Sequence, residues 1–503
     1  MMVGKSNPVG AADASAGSSG AASASGSGPG SGSESGGPAS GRTGSATAWI
    51  VSAGVFVVNL DLFIVNVAVP ALATSFDDVS LASLSWVLNA YAIVFAALLV
   101  TAGRLADRYG HRRGFLLGLA VFTVASALCA VAPGVGWLVA ARALQAAGAA
   151  ALMPTSLALL LVATPAERRP RAIRGWAAIG GIAAGLGPVA GGLLVEADWR
   201  WVFLVNVPVG AAGLVAGVRL LPADRPDRSG PLPDLAGAVL LTLAIGSLAL
   251  GLVKAEVWGW SSGRVLGSLA AAVILAAAFW LRSARHPVPI VELPLLRIPA
   301  FALATLAALL FTVAFAAMLL TSVLWCQQVW GYSAFRTGLA IAPGPLVVPV
   351  LAIASGPVVR LLGAGRTAAA GCLLFAGGLV WWALALDTAP HYAAAFLPGM
   401  FITGVGVGFA LPTLVGAAAT ALPPGRFATG SAVTTMARQT GSVLGVAVMV
   451  GLIGEPRTAE AALTAFRHGW LTAAVVGALA VAAALALPRP AAPAGAAPAK
   501  APA

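Results

Sequence analysis

From about residue 47 to about residue 487, long apolar runs alternate with short breaks that carry charge or cluster proline and glycine. Fourteen runs are predicted to be membrane-crossing helices, near 48–70, 85–102, 114–132, 137–160, 173–195, 200–220, 234–253, 265–282, 300–324, 334–356, 367–386, 393–419, 428–451 and 469–487. Most hold close to the roughly 20 residues that a bilayer core requires. The least punctuated region, 300–356, divides at Trp330-Gly331-Tyr332-Ser333. Residues 1–46 are Gly, Ser and Ala with almost nothing apolar, and 488–503 are rich in Pro and Ala. Neither tail can bury a core, so both are expected to be disordered. The N-terminal tail lacks the apolar stretch of a signal peptide, so the first span is expected to act as its own insertion signal.

Composition supports this pattern. The 503 residues are 59% hydrophobic and only 9% charged, where a soluble domain is about 25% charged. Mean hydropathy is +0.92. The fold class is therefore an all-α polytopic membrane protein. The net charge of +12 does not point to nucleic acid, because the basic residues lie singly between apolar spans and form no clustered face. Membrane topology accounts for them. The breaks and tails on one side carry 21 of the 29 Lys and Arg residues, including Arg104, Arg108, Arg112, Arg113, Arg168, Arg169, Arg282 and Arg285. The other side carries six: Arg200, Lys254, Arg264, Arg336, Arg457 and Arg467. The positive-inside rule then places both termini in the cytoplasm. Cys129, Cys326 and Cys372 lie singly in apolar runs and the four histidines fall in breaks or at helix ends. No metal site or disulfide is expected.

Away from the span ends, three charges are left in the membrane: Asp61, Arg142 and Arg438. An acid at a helix centre costs roughly 2.5–3.5 kcal/mol on insertion scales. A structural ion pair and a functional site are both open readings for Asp61. At about 1.5 Å of rise per residue, Asp61 lies about 20 Å above the cytoplasmic edge and Arg142 at about the same level. The two are expected to interact, directly or through water. Arg438, followed by Gln439, falls near the midplane. With one embedded acid, dicationic compounds are expected to be poor substrates compared with monovalent or neutral ones.

Several breaks carry more than topology. Gly103-Arg104-Leu105-Ala106-Asp107-Arg108-Tyr109-Gly110-His111-Arg112-Arg113 sets an acid among arginines between two glycines seven apart, and Gly356 to Arg366 is a faint second copy. The fourth span places Gln145 and Gly148 on one side with Arg142. The fifth holds Gly187-Pro188-Val189-Ala190-Gly191-Gly192, and Asp198-Trp199-Arg200-Trp201 with Asn206 follows directly. These strings resemble the signatures of the major facilitator superfamily. With Leu60-Asp61-Leu62-Phe63-Ile64-Val65-Asn66, Trp86-Val87-Leu88-Asn89-Ala90-Tyr91 and Ala437-Arg438-Gln439 they resemble its fourteen-helix drug:proton antiporters, over about residues 49–487. Phe63 departs from that pattern, which usually has Thr there.

The resemblance implies two six-helix bundles, residues 47–221 and 300–487, with two additional helices within 222–299. It implies a cytoplasmic latch at Gly103, Asp107, Arg108, Gly110 and Arg112, an antiporter motif at Gly187, Pro188, Gly191 and Gly192, and proton coupling through Asp61 and Arg142. A substrate cavity is expected among Asn59, Phe63, Asn66, Trp86, Asn89, Tyr91, Gln145, Met153, Trp325, Gln328, Met436, Arg438 and Gln439. The expected function is export of small amphipathic organic compounds across a bacterial cytoplasmic membrane in exchange for protons, by a monomer in the lipid bilayer. A dedicated self-resistance exporter, or an importer of one metabolite, is the alternative. A channel would need polar or charged rings along a pore, and two arginines with one acid make a poor one. No phosphate-binding loop occurs, so the proton gradient and not a bound nucleotide or other cofactor is the expected energy source.

Overall fold

A computed structural model describes residues 38–76, 79–222, 232–423, 426–454, 456 and 458–488. Most of both tails, and Asp77, Asp78, Arg225, Arg228 and Arg457, lie outside the described residues. Fourteen helices are long and apolar enough to cross a membrane. They are α1 (Ala46–Ser75), α2 (Leu81–Tyr109), α3 (His111–Ala130), α4 (Val135–Val162), α5 (Arg171–Ala197), α6 (Trp201–Leu220) and α7 (Leu235–Trp258). Then follow α8 (Gly263–Arg285), α9 (Pro299–Val329), α10 (Ala334–Ala352), α11 (Ala364–Ala385), α12 (Tyr392–Thr420), α13 (Thr429–Ile453) and α14 (Ala459–Leu485). The first helix starts at Pro38, inside the tail expected to lack order. Proline suits a first helical turn, where its missing N–H is not needed.

Local chemistry sets the ends. Ser80, Ser262 and Thr458 cap α2, α8 and α14 by accepting a backbone N–H three residues on, as short hydroxyl side chains do. Between α9 and α10 the chain turns at Gly331, whose φ of 65° lies in the region glycine enters without penalty. That divides 300–356 where the sequence suggested.

A parallel repeat relates the halves. Gly110 ends α2 and opens α3 with φ 106°, and Gly363 separates α10 from α11 with φ 83°. The same 253-residue offset relates Gly118 to Gly371 and Phe122 to Phe375. A Cβ on Gly148 would sit 2.6 Å from Phe122 N, and one on Gly406 would sit 2.6 Å from Phe375 N. The α3/α4 and α11/α12 crossings therefore use the same glycine-on-backbone packing, which suits a bilayer where close approach replaces a hydrophobic drive. Helices α7 and α8 pair with each other, and α7 also packs on α2 and α13.

The halves meet at the end of the bundle opposite the α2–α3 turn. A Cβ on Gly192 of α5 would sit 2.7 Å from Phe335 Cα of α10, and Gly338 of α10 lies against the Pro188 carbonyl. Gln327 donates across from α9 to the Val67 carbonyl of α1 at 3.2 Å.

Candidate functional site

Asp61 is fifteen residues into α1 and Arg142 seven into α4, which runs the opposite way. The rise of a helix therefore brings them to one level. The contact is direct: Arg142 Nη1 lies 2.5 Å from Asp61 Oδ2. Both side chains are essentially without solvent exposure, at 1% and 0%. Burying two charges is costly unless every lone pair and proton finds a partner, and the surrounding helices supply them. Gln145 Nε2 donates to Asp61 Oδ1 at 2.8 Å and Asn206 Nδ2 donates to the same oxygen at 3.0 Å. Arg142 Nη1 donates to Gln145 Oε1 at 2.6 Å, and its Nε donates to the Val87 carbonyl at 3.1 Å. Ser126 Oγ accepts from Gln145 Nε2 at 2.8 Å.

The guanidinium also sits 4.2 Å from the centre of the Tyr91 ring, a favourable place for a desolvated cation. Tyr91 stacks on Phe95 with ring centres 6.1 Å apart. Five helices, α1 to α4 and α6, thus hold one ion pair. Around it, both polar atoms of the Asn89 amide, the Tyr91 hydroxyl and Asn206 Oδ1 are buried without a hydrogen-bond partner among the described residues.

The glycines of α5 press against the same segment of α1. A Cβ on Gly187 would sit 2.6 Å from Phe63 Cβ, and one on Gly191 would sit 2.9 Å from the Ile64 carbonyl. Pro188 lies within α5. The motif packs α5 directly onto the residues that follow Asp61, and Gly192 faces α10 on the other flank.

Other expected cavity residues divide. Asn59 is half-buried beside Gly180 and donates to the Val55 carbonyl at 2.8 Å. Asn66 donates to the Leu62 carbonyl at 2.9 Å. Phe63, Trp86 and Met153 are half-buried. Trp325 does not line a cavity: it is fully buried in an aromatic cluster with ring centres 5.2 Å from Phe466 and 5.1 Å from Trp470. Gln328 is exposed, and its neighbour Gln327 makes the contact with α1. The reason is a π turn over Trp325–Val329, which changes the side-chain directions that a regular helix would give. Met436 is buried in an apolar cluster with Ala96 and Val100 of α2. Gln439 is 8% exposed and Arg438 is half-buried.

At the α2–α3 turn, Asp107 pairs with His111 at 3.5 Å, and Arg112 donates to the Val218 carbonyl at 2.6 Å. Arg108 Cζ lies 5.8 Å from the Tyr109 ring centre. Gly103 lies against Pro154 of α4, and Gly110 makes the turn. The link between distant elements runs through Arg104, which pairs with Glu292 at 3.3 Å, and Arg426 pairs with the same acid at 3.7 Å. Sequence reasoning missed Glu292. It also left Ser126, Asn206 and Phe203, whose ring centre lies 5.8 Å from Arg142 Cζ, out of the site. The available signal for Asn206 was an amide in an otherwise apolar sixth span.

The family model of the Major Facilitator Superfamily matches residues 51–446. The tetracenomycin C resistance and export protein of Streptomyces glaucescens is 36% identical over 382 residues, 75% of this chain and 70% of that protein. The multidrug resistance protein Stp of Mycobacterium tuberculosis is 36% identical over 414 residues, 81% of this chain and 75% of that protein. A peptide transporter POT solved in complex with sulfate superposes with a TM-score of 0.64 at 17% identity, over 87% of this chain and 94% of that one. At that identity the likeness concerns the fold alone.

Proposed function

The chain belongs to the Major Facilitator Superfamily, is a multi-pass membrane transporter and not an enzyme, and we propose that it is a proton-coupled antiporter exporting amphipathic organic compounds. The observation that carries the proposal is the fully buried Asp61–Arg142 pair with its Gln145 and Asn206 donors. An exposed pair would contribute little either way. A buried one can be switched by a single proton, because neutralising Asp61 removes the counter-charge of Arg142. Asp61 takes a proton from outside and releases it inside. The accompanying change in the pair loosens the five helices that hold it, and rocking of the halves alternates access.

Export is favoured by the position of the glycine motif. Gly187 and Gly191 bind α5 to the Asp61 segment while Gly192 and Pro188 touch α10. The proton site and the outer contact between halves therefore share one helix. The protein works as a monomer with both termini in the cytoplasm, driven by the proton gradient. A narrower reading, a self-resistance exporter for one compound, is supported by the Streptomyces relative, which is named for a single compound.

The test is an Asp61→Asn variant in everted membrane vesicles with an imposed pH gradient. Loss of substrate-driven proton movement with retained membrane insertion is expected. Undiminished proton movement would remove Asp61 from the mechanism. A drug-sensitivity panel in an efflux-deficient host then sets breadth against a single substrate.

A further inference from the structure

The charges of the membrane interior do not balance. Asp61 and Arg142 cancel, and Arg438 in α13 remains. It is nine residues beyond Thr429, about 14 Å along the helix. Among the described residues its Nε is buried without a partner, and it enters no ion pair. The other described acids within the spans stand within two residues of a span end. Among the described residues no carboxylate is therefore placed to compensate Arg438.

The surroundings of α13 say where this cation points. No residue from Thr429 to Gly451 is exposed, so the helix is enclosed. Thr434 meets Thr305, and Gly441 and Gly445 lie on α9 backbone, which fixes the α9 side. Val433 and Met436 join the cluster of Ala96 and Val100, which fixes the α2 side. Two half-exposed stripes remain. One carries Ala437, Thr440, Leu444 and Val448 and is mainly apolar, the Thr440 hydroxyl donating to the Met436 carbonyl of its own helix. The other carries Ser431, Thr435, Arg438 and Ser442, spaced four, three and four residues apart, and every member is polar. A polar stripe with an arginine cannot face lipid cheaply, so it faces the interior between the halves. Gln439, 8% exposed and without a hydrogen-bond partner among the described residues, borders it.

We propose that Arg438, flanked by Thr435, Gln439 and Ser442, is the anchor for an anionic group on the exported compound, a carboxylate or an ionised phenol. This rests on the reading of the chain as an exporter of organic compounds and names the charge class of its substrates. Asp61, among the described residues the one acid in the interior of a span, is engaged by Arg142, Gln145 and Asn206 and has no solvent exposure. No other described carboxylate in the interior is left to attract a cation. A monoanion supplies the counter-charge that Arg438 lacks, and a planar guanidinium takes such a group through two parallel hydrogen bonds. The serine, threonine and glutamine side chains supply further donors.

The test uses the full chain in lipid nanodiscs, with tryptophan quenching as the readout. An anthracenecarboxylate, its methyl ester and the corresponding aminomethyl cation are titrated separately. The acid is expected to bind at least about tenfold more tightly than the ester or the cation. Arg438→Gln brings the affinity of the acid down to that of the ester, and Arg438→Lys keeps part of the preference. Failure of the acid to bind, or equal affinity for acid and ester in the unaltered protein, overturns the proposal without any variant. An Arg438→Gln protein that keeps the preference overturns it as well. Repeating the titration on Asp61→Asn separates this inference from the proton-coupling reading. A retained preference for the acid with lost proton movement supports both. A retained preference with retained proton movement supports the anion anchor while removing Asp61 from coupling.

Discussion

Asp61 accepts three donors on two oxygens, from Arg142, Gln145 and Asn206. Each partner has a different consequence when removed. Arg142→Gln leaves an uncompensated buried carboxylate, which costs about 3–5 kcal/mol, so thermal unfolding in detergent should move sharply down. Asp61→Asn strands the guanidinium and should cost a similar amount. The double variant Asp61→Asn/Arg142→Gln removes both charges at once and should unfold at a higher temperature than either single variant. Non-additivity of this kind is what a double-mutant cycle measures for groups in contact. Additive losses would show that the two charges do not depend on each other. Asn206→Ala removes one hydrogen bond to a charged group, about 1.5–3 kcal/mol, and should lower stability by less than either charge deletion.

Glycine substitutions separate helix packing from outer closure. A methyl group on Gly148 or Gly406 would run into the backbone of α3 or α11, whereas nothing lies within 4 Å of one on Gly356. Gly148→Ala and Gly406→Ala should each destabilise by about 1–3 kcal/mol, the usual cost of overpacking. Gly356→Ala should leave the melting temperature in place. Gly192 has a different task, because its neighbour Phe335 belongs to the other half. Gly192→Val should hold the outer ends of α5 and α10 apart. Transport should fall at least about tenfold, the effect of about 1.4 kcal/mol in a barrier. A cysteine introduced at Val67 should become more reactive toward a thiol reagent applied from outside.

The molecule as a whole is tied at two levels. At one end, proposed above to be the outer one, α5 meets α10 and Gln327 reaches α1. At the other, proposed to be cytoplasmic, Glu292 joins Arg104 of α2 to Arg426 just before α13. These cytoplasmic pairs are partly exposed, and such pairs contribute about 0–1 kcal/mol each. Glu292→Gln should therefore leave the fold intact while favouring a parted cytoplasmic side, read as a longer distance between spin labels at the ends of α2 and α13. An unchanged distance distribution would limit Glu292 to a local surface role. The anion anchor also has a consequence at this scale. Expelling a monoanion while one proton enters moves two charges inward, and each charge is worth about 2.3 kcal/mol per 100 mV. Export of an anionic probe should depend more steeply on an interior-negative potential than export of its neutral ester.

The sequence by itself determined the membrane class, the fourteen spans, the turn at Gly331 and the doubled glycine signature, because apolar length and backbone freedom are local properties of the chain. It also placed Asp61 and Arg142 at one level, since helix rise converts residue number into depth. Rotation about each helix axis was not legible. It depends on how six helices pack together, and only the tertiary structure showed that Asn206 and Ser126 turn toward Asp61. The π turn at Trp325–Val329 exchanged Gln327 for Gln328 at the contact with α1 and put Trp325 into an aromatic cluster. Depth is a sum along one helix, whereas pairing is decided between helices. Asp61 and Arg142 could thus be matched from sequence, and the isolation of Arg438 could be seen only in the folded chain.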